Sequence, residues 1–242
     1  MNRLEVIQAI IDYNRAKTYL EIGVEGGDVF LKIKAGKKIA VDPEIQITIK
    51  SKFRNILKDF SNIFNKYYEM TSDDFFKINS SQYKYYFDII FIDGLHTYEQ
   101  SLKDVRNSLK YLNKNGVIIV HDCNPESESI AYPATSWEDA DSLSLNGWTG
   151  EWSGDVWKTI AYLRSTQKNL RVFVLNCDHG LGVIAQGAPE NILTYSKEEI
   201  DNFSYSDLDK NRKKILNLKS SEYLKAFLVD IKPKTNNKII LD

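Results

Sequence analysis

The sequence predicts a doubly wound α/β fold of the Rossmann-like type, and three observations carry that reading. Short apolar runs such as Phe87-Asp88-Ile89-Ile90-Phe91-Ile92 and Val117-Ile118-Ile119-Val120 read as strands buried on both faces, as in a parallel sheet. These runs alternate with segments of helical period, which implies right-handed crossovers. Four of them close on an acid or an acid-flanked glycine: Glu21, Asp42, Asp93 and Asp122. Ligands of open α/β sheets bind outside the carboxyl ends of the strands. A carboxylate buried there is unfavourable unless something pairs with it, so four on one rim point to a site.

The elements follow in order. Leu4, Ile7, Ile10 and Ile11 recur at helical spacing, which predicts a helix over 2–16. Residues 18–23 read as the first strand, 28–34 as the start of a helix, and 38–42 as the second strand. Residues 45–60 read as helix and 66–70 as the third strand, followed by the polar 71–74. The fourth strand is 86–92. Tyr98, Leu102, Val105, Leu109 and Leu112 then mark one face of a helix, with Gly116 placed to end it. The fifth strand is 117–122.

From 125 to 157 the text changes to turn residues, acids and all four tryptophans: Trp137, Trp148, Trp152 and Trp157. A loop this long is functional or disordered, and its aromatics argue against disorder. Trp157 reads as core, on a helix over 155–165. Residues 171–176 and 182–186 read as an antiparallel pair at the sheet edge, joined by a turn holding Cys177 and His179. Residues 190–228 read as mostly helical and 231–242 as a frayed tail. The domain reading is 1–187 with a substrate loop or lid at 125–157, then a helical C-terminal extension at 188–242.

Composition bounds the function. The 242 residues are 43% hydrophobic, enough for a sizeable core. Lys and Arg number 32 against 33 Asp and Glu, a formal charge of -1, so no global field gathers nucleic acid or an anionic membrane. Two cysteines make no disulfide framework. The first 17 residues alternate apolar and charged, so they read as neither a signal peptide nor a membrane span. The expectation is a soluble cytoplasmic protein with a small-molecule partner and no nucleic acid.

Glu21-Ile22-Gly23-Val24-Glu25-Gly26-Gly27 joins a strand to the next element. Its glycines let backbone approach a ligand, but the spacing is not the G-x-G-x-x-G of dinucleotide binders. The acid before them repels a pyrophosphate and suits a cationic amino group. Asp42, at the end of the next strand, can take two ribose hydroxyls. An amino group, a ribose and no phosphate describe S-adenosylmethionine. Two rival classes are a nicotinamide oxidoreductase, which Glu21 argues against, and a binding protein that has lost chemistry.

YLEIGVEGG (19–27), VDPE (41–44), FDIIFIDGLHTYEQSLKDV (87–105), GVIIVHDCNP (116–125) and GDVWK (154–158) occur in this order. On these motifs the chain resembles the class I S-adenosylmethionine-dependent methyltransferases of the family 24 kind, in particular bacterial sugar and macrolide O-methyltransferases. The resemblance implies a seven-stranded sheet with an antiparallel last strand. It implies that Glu21, Gly23, Glu25, Gly27 and Asp93 line the cofactor, that Asp42 holds the ribose, and that Ser72 and Asp73 contact the adenine. Asp73 and Asp74 read equally well as a helix N-cap pair.

Asp93 and Asp122 end neighbouring strands, and two carboxylates that close call for a cation between them. Oxygen ligands point to magnesium, manganese or calcium. Methyl transfer to a sugar hydroxyl needs a proton acceptor, and His96 lies three residues past Asp93. The resemblance implies that His96 is the base, with two acids after the fifth strand holding magnesium. Asp122 matches the second of these acids, but His121 stands at the first. That departure favours a softer ion, such as manganese, or no ion. Trp148, Trp152 and Asn124 are the candidates for acceptor contact. The plainer alternatives are a turn at 94–97 with His96 or Thr97 capping the helix, a strand-end role for His121, and a simple hairpin turn at Cys177 and His179. The implied reaction is O-methylation of a sugar that is nucleotide-linked, part of a surface polysaccharide, or part of a secondary metabolite. An N-methyltransferase without metal and a homo-oligomeric state are left open.

Overall fold

The computed structural model describes residues 1–79, 81–83 and 85–231. Its strands are β1 (Thr18–Ile22), β2 (Lys37–Asp42), β3 (Lys66–Glu69), β4 (Phe87–Ile92), β5 (Leu112–Val120), β6 (Leu170–Leu175), β7 (Leu181–Gln186) and β8 (Leu218–Lys219). They form one sheet in the order β3-β2-β1-β4-β5-β7-β6-β8. All pairs are parallel except those of β7, which runs against both β5 and β6. The expected Rossmann-like sheet is present with one difference, an added strand. The expected antiparallel pair, β6 with β7, lies on one side of the sheet, and within it the antiparallel β7 is the inner strand, next to β5. The two-residue β8 adds an eighth strand outside β6.

The helices are α1 (Arg3–Asn14), α2 (Ile49–Lys58), α3 (Ser72–Ile78), α4 (Tyr98–Tyr111), α5 (Trp137–Ser142), α6 (Trp157–Thr166), α7 (Lys197–Asp201), α8 (Tyr205–Leu216) and α9 (Tyr223–Ile231). They cover both faces of the sheet. Ile90 and Ile92 of β4 join one core with α3, α4, α6 and α8, while Ile89 and Phe91 join the other with α1 and α9. This alternation is the period of two expected of a strand buried on both sides. The helices after residue 190 thus pack on both cores. From residue 232 on, the expected frayed tail lies outside the described residues.

Two local expectations fail for identifiable reasons. Residues 28–34 form successive turns, not a helix. Buried Lys38 reaches in from β2, and its ammonium donates to the carbonyls of Phe30 (2.6 Å) and Ile33 (2.7 Å). Those carbonyls are thereby satisfied without a helical ladder. Gly116 does not end α4. The helix stops at Tyr111, because Leu112 is already extended and pairs with Phe87. Gly116 lies inside β5, where a side chain would collide with the Asp88 carbonyl and Leu112.

Lys38 is the expensive part of this arrangement, since burial pushes its ammonium down to about 8. Lys38→Met keeps the aliphatic stem and removes the donor. An orphaned buried carbonyl costs about 1–3 kcal/mol, partly offset by relief of ammonium burial, so a net loss of about 2 kcal/mol is expected in urea unfolding. An unchanged midpoint would show that these carbonyls do not depend on the ammonium.

Candidate active site

The carboxyl ends of β1, β2, β4 and β5 open on a cavity of about 890 Å³, a size suited to a cofactor-sized ligand. Glu21, Asp42, Asp93 and Asp122 all line it. The order of the strands reverses between β1 and β4, so the loops after them diverge and leave the crevice between. Gly23 makes this junction close. Its φ is +82°, and a Cβ there would lie 1.9 Å from the Asp93 carbonyl oxygen. Only glycine tolerates both conditions.

One half of the cavity is built on β1 and β2. Asp42 ties the glycine loop down: Oδ2 accepts from the Val24 N–H (2.7 Å) and the Glu25 N–H (2.9 Å), and Oδ1 from the Glu44 N–H (2.8 Å). Glu21 is buried, and the Tyr19 hydroxyl donates to it. Burial raises the Glu21 carboxyl, the Tyr19 bond opposes this, and the net value is about 8. Ser72 donates to Asp104 (2.6 Å), to which Gln100 also donates (3.1 Å). Burial pushes the Asp104 carboxyl up to about 6. Asp73 pairs with Lys103 through one oxygen, while its Oδ1 is buried without a partner. The N-cap of α3 is Thr71, not the Asp73–Asp74 pair.

The other half is a charge cluster at the ends of β4 and β5. Arg3, in the first turn of α1, pairs bidentately with Asp178 (3.0 and 3.1 Å) and reaches Asp93 Oδ2 at 2.8 Å. His121 Nδ1 lies 2.7 Å from Asp122 Oδ2 and 3.1 Å from Asp93 Oδ1, while its Nε2 lies 3.4 Å from Asp178 Oδ1. Both ring nitrogens face carboxylates, so the ring carries two protons. His96 Nδ1 lies 2.6 Å from the Trp152 carbonyl, which accepts its N–H and fixes the tautomer. His96 Nε2 then lies 3.3 Å from Asp122 Oδ2 and 3.6 Å from Asp93 Oδ1. Burial would lower the His96 imidazole, but its bond to Asp93 and the charges of Asp122 and Asp93 hold it at about 9. Burial would likewise raise Asp93, yet His121 and His96 hold it well below the usual carboxylate range.

The 125–157 segment closes the end of the cavity that holds this cluster. Ser153 donates to Asp122 Oδ1 (2.7 Å), and Asp155 accepts from the Tyr98 N–H (2.6 Å). Between them Gly154, at φ +55°, lies so near His96 that a Cβ would meet its carbonyl oxygen at 1.8 Å. The Trp152 ring lies 5.4 Å from the His96 ring. Asp122 has φ 60°, a strained backbone for a non-glycine residue, held by these contacts.

Most of the expected site residues therefore meet. Glu21, Gly23, Glu25, Asp42, Ser72, Asp73, Asp93, His96, His121, Asp122 and Trp152 line the cavity. Gly27 does not; it shapes the turn beneath, against Ile47. Trp148 does not, because its N–H is donated to Asp141 and its ring packs near Trp137 within the 125–157 segment. Asn124 is turned away to Asn176 and Arg212. Thr97, not His96, caps α4, which leaves His96 free for the cavity. Trp157 stacks on Phe203 in the core, as expected.

Sequence reasoning missed Arg3, Asp178 and Ser153. Asp178 had a usable signal, since β6 and β5 both run against β7, so the carboxyl end of β6 reaches the same rim as the other four acids. Its neighbour His179 also lines the cavity, with its ring 5.8 Å from that of His121. Cys177 does not line it. Arg3 had no signal, because only the docking of α1 brings it 90 residues along the chain to Asp93.

The fold and the rim of acids define a Rossmann-like domain with its ligand cavity at the strand ends. Residues 20–123 match a family model described as a methyltransferase domain, a segment running from β1 to the residue after Asp122. Over that segment, somewhat under half of the chain, the sequence is similar to methyltransferase domains. Three solved structures share the fold. The O-methyltransferase TomG from Streptomyces achromogenes, in complex with S-adenosylmethionine, has a TM-score of 0.55 at 10% identity over 77% of this chain and 80% of that one. An O-methyltransferase from Bacillus cereus, in complex with S-adenosylhomocysteine, has a TM-score of 0.52 at 16% identity over 76% and 80%. The S-adenosylhomocysteine-bound methyltransferase PaMTH1 from Podospora anserina has 0.52 at 20% over 77% and 79%. No curated protein matches the sequence. Among the described residues, no helix is long and apolar enough to cross a membrane.

The raised His96 value links the site to stability. A folded value of about 9 against 6.5 means stabilisation that is complete below pH 6.5 and lost as pH rises through 9. The expected difference between wild type and His96→Gln is up to about 3 kcal/mol at pH 6, shrinking toward pH 10. Denaturant midpoints across that range measure it. A difference that does not change with pH would remove the ion-paired imidazolium.

Proposed function

We propose that this protein is a methyltransferase that uses S-adenosylmethionine to methylate a sugar hydroxyl, with His96 as the general base. The observation that carries the reading is the placement of His96 Nε2, fixed by the Trp152 carbonyl and facing Asp93 and Asp122 at one end of an acid-lined cavity. The two O-methyltransferase structures holding S-adenosylmethionine and S-adenosylhomocysteine support this cofactor and an oxygen acceptor.

The residues fit the cofactor. Among the described lining residues the basic side chains are Arg3, His96, His121 and His179, all at the acceptor end. The β1–β2 half has acids and no cation to hold a diphosphate, which disfavours a nicotinamide dinucleotide. Asp73 Oδ1 is a buried acceptor awaiting a donor, as an adenine amine provides. Asp42 would take the ribose hydroxyls and Glu21 the amino-acid end. When bound, S-adenosylmethionine supplies a methyl group on a sulfonium leaving group. Glu21 and Asp93 favour the positive charge of that ligand. His96 takes the acceptor hydroxyl's proton at Nε2, and Asp122 and Asp93 stabilise the imidazolium formed. Before the cofactor enters, the same two acids keep His96 protonated. A second cation beside Asp93 competes for that charge and lowers the His96 value, so binding prepares the base. The Trp152 ring beside His96 offers an apolar face to a sugar.

A divalent ion does not fit this donor set. Asp93, His96 and Asp122 present ligand atoms within 4.8 Å of one another. Yet Asp93 Oδ2 faces Arg3, Asp93 Oδ1 and Asp122 Oδ2 face His121, and Asp122 Oδ1 accepts from Ser153. The charge an ion would bring is already supplied by Arg3 and His121.

Titration calorimetry with S-adenosylhomocysteine, followed by turnover on sugar nucleotides, tests this reading. His96→Ala is expected to keep the affinity and lose about 10²–10⁴-fold in turnover. Asp42→Ala is expected to weaken affinity about tenfold or more, because it frees the glycine loop as well as a ligand contact. Normal turnover by His96→Ala would remove the base assignment. No binding by wild type would remove the cofactor. Turnover should be unchanged in excess chelator; loss restored by magnesium or manganese would overturn the metal-free reading.

A further inference from the structure

We propose that α2 and the 3-10 turn after it (Phe60–Phe64) dock the protein on an anionic lipid surface. This goes beyond the methyltransferase reading and does not depend on it. The segment is turned inside out relative to an ordinary surface helix. Ile49, Phe53 and Leu57 recur every four residues on one face of α2, and Ile49 and Leu57 are 85% and 74% exposed. Phe53, Phe60, Ile63 and Phe64 are each more than half exposed. No residue of α2 is buried. The side that holds the segment to itself is polar: buried Asn62 donates to the carbonyls of Asn55 (3.1 Å) and Asp59 (3.2 Å), and Asn55 to that of Ser51 (2.9 Å). A helix anchored through amides and showing phenylalanines to water lacks its partner.

The charge around this apolar stripe selects the partner. Residues 48–66 carry Lys50, Lys52, Arg54, Lys58 and Lys66 against Asp59 alone, a local excess of four positive charges in a chain of formal charge -1. None of the five forms an ion pair among the described residues; Lys52 lies over the Tyr67 ring and Lys66 donates to the Tyr83 hydroxyl. A second copy of the same face would bring two such excesses together and repel. An anionic bilayer takes both features at once, with apolar side chains at the acyl boundary and lysines among the headgroups. The acidic patch of another protein is the rival occupant. α2 begins seven residues after the cavity-lining Asp42, so the surface adjoins the end of the sheet that carries the site.

Co-sedimentation of the full chain with phosphatidylcholine vesicles, with and without about a third of phosphatidylglycerol, tests the proposal. Binding to the anionic vesicles at least about tenfold stronger than to neutral ones is expected, weakening with salt. Phe53→Ser/Leu57→Ser and, separately, Lys50→Glu/Lys58→Glu should each reduce that binding about tenfold or more with unchanged thermal melts, because these side chains are exposed. Three results overturn the proposal: no binding to anionic vesicles, no preference for them over neutral ones, or binding that both variants retain. A dimer in sedimentation equilibrium that Phe53→Ser/Leu57→Ser breaks would also overturn it and assign the face to a second copy.

Discussion

The structure turns on the neutralisation of carboxylates crowded at the carboxyl ends of parallel strands. Parallel pairing brings the ends of β4 and β5 side by side, and both continue into acids. Asp93 and Asp122 cannot both remain ionised there without positive charge. The chain gathers that charge from distant places: Arg3 from the first turn of α1, His121 from the end of β5, and His96 from the turn before α4. Asp178 then balances Arg3 and His121 from the far side. Removing any one member strands a buried charge, so the position of α1 and the β6–β7 turn are tied to the chemistry of the site.

The two halves of the cavity solve the same problem differently. At the β4–β5 end the acids are ionised and paired. At the β1 end Glu21 has Tyr19 for a partner and Lys38 at a distance, and burial leaves its carboxyl at about 8, protonated at neutral pH. An incoming cation supplies what is missing, so a positively charged ligand is favoured most beside Glu21. The cavity thus grades from an uncompensated acid to a compensated cluster, and a cationic ligand is favoured with its charge toward the β1–β4 junction. That junction is the one that Gly23 makes narrow.

The sequence made the central strands and their terminal acids legible because a strand buried on both faces leaves a nearly unbroken apolar run, and because an acid ending such a run is conspicuous. His96 was legible by its spacing from Asp93. What was hidden depended on tertiary contact. Arg3 looks like any helix-start residue until α1 docks. The turns at 28–34 look helical until Lys38, on the next strand, takes their carbonyls. Trp148 and Trp152 look alike in sequence, but the fold of the lid sends one indole into its own interior at Asp141 and the other to the cavity wall. Gly116 reads as a stop because a glycine after a helical face usually is one. Here α4 ends five residues earlier, and the glycine serves strand packing.

Composition misleads at the surface for a related reason. A formal charge of -1 averages over 242 residues and says nothing of where the charges lie. The cations of 48–66 are interleaved with isoleucine, leucine and phenylalanine at helical spacing, a pattern that in isolation reads as an ordinary amphipathic helix with its apolar face in the core. The fold decides otherwise, because the β2 and β3 edge is already served by Tyr67, Phe30 and Ile47 of the inner core. With that core closed, the side of α2 that meets the body is the half-buried Ser51, Lys52, Asn55 and Ile56. The same residues that would have completed a core become a surface. Periodicity alone establishes that a helix has two faces; which of them meets water is decided by whether the core beneath is already full.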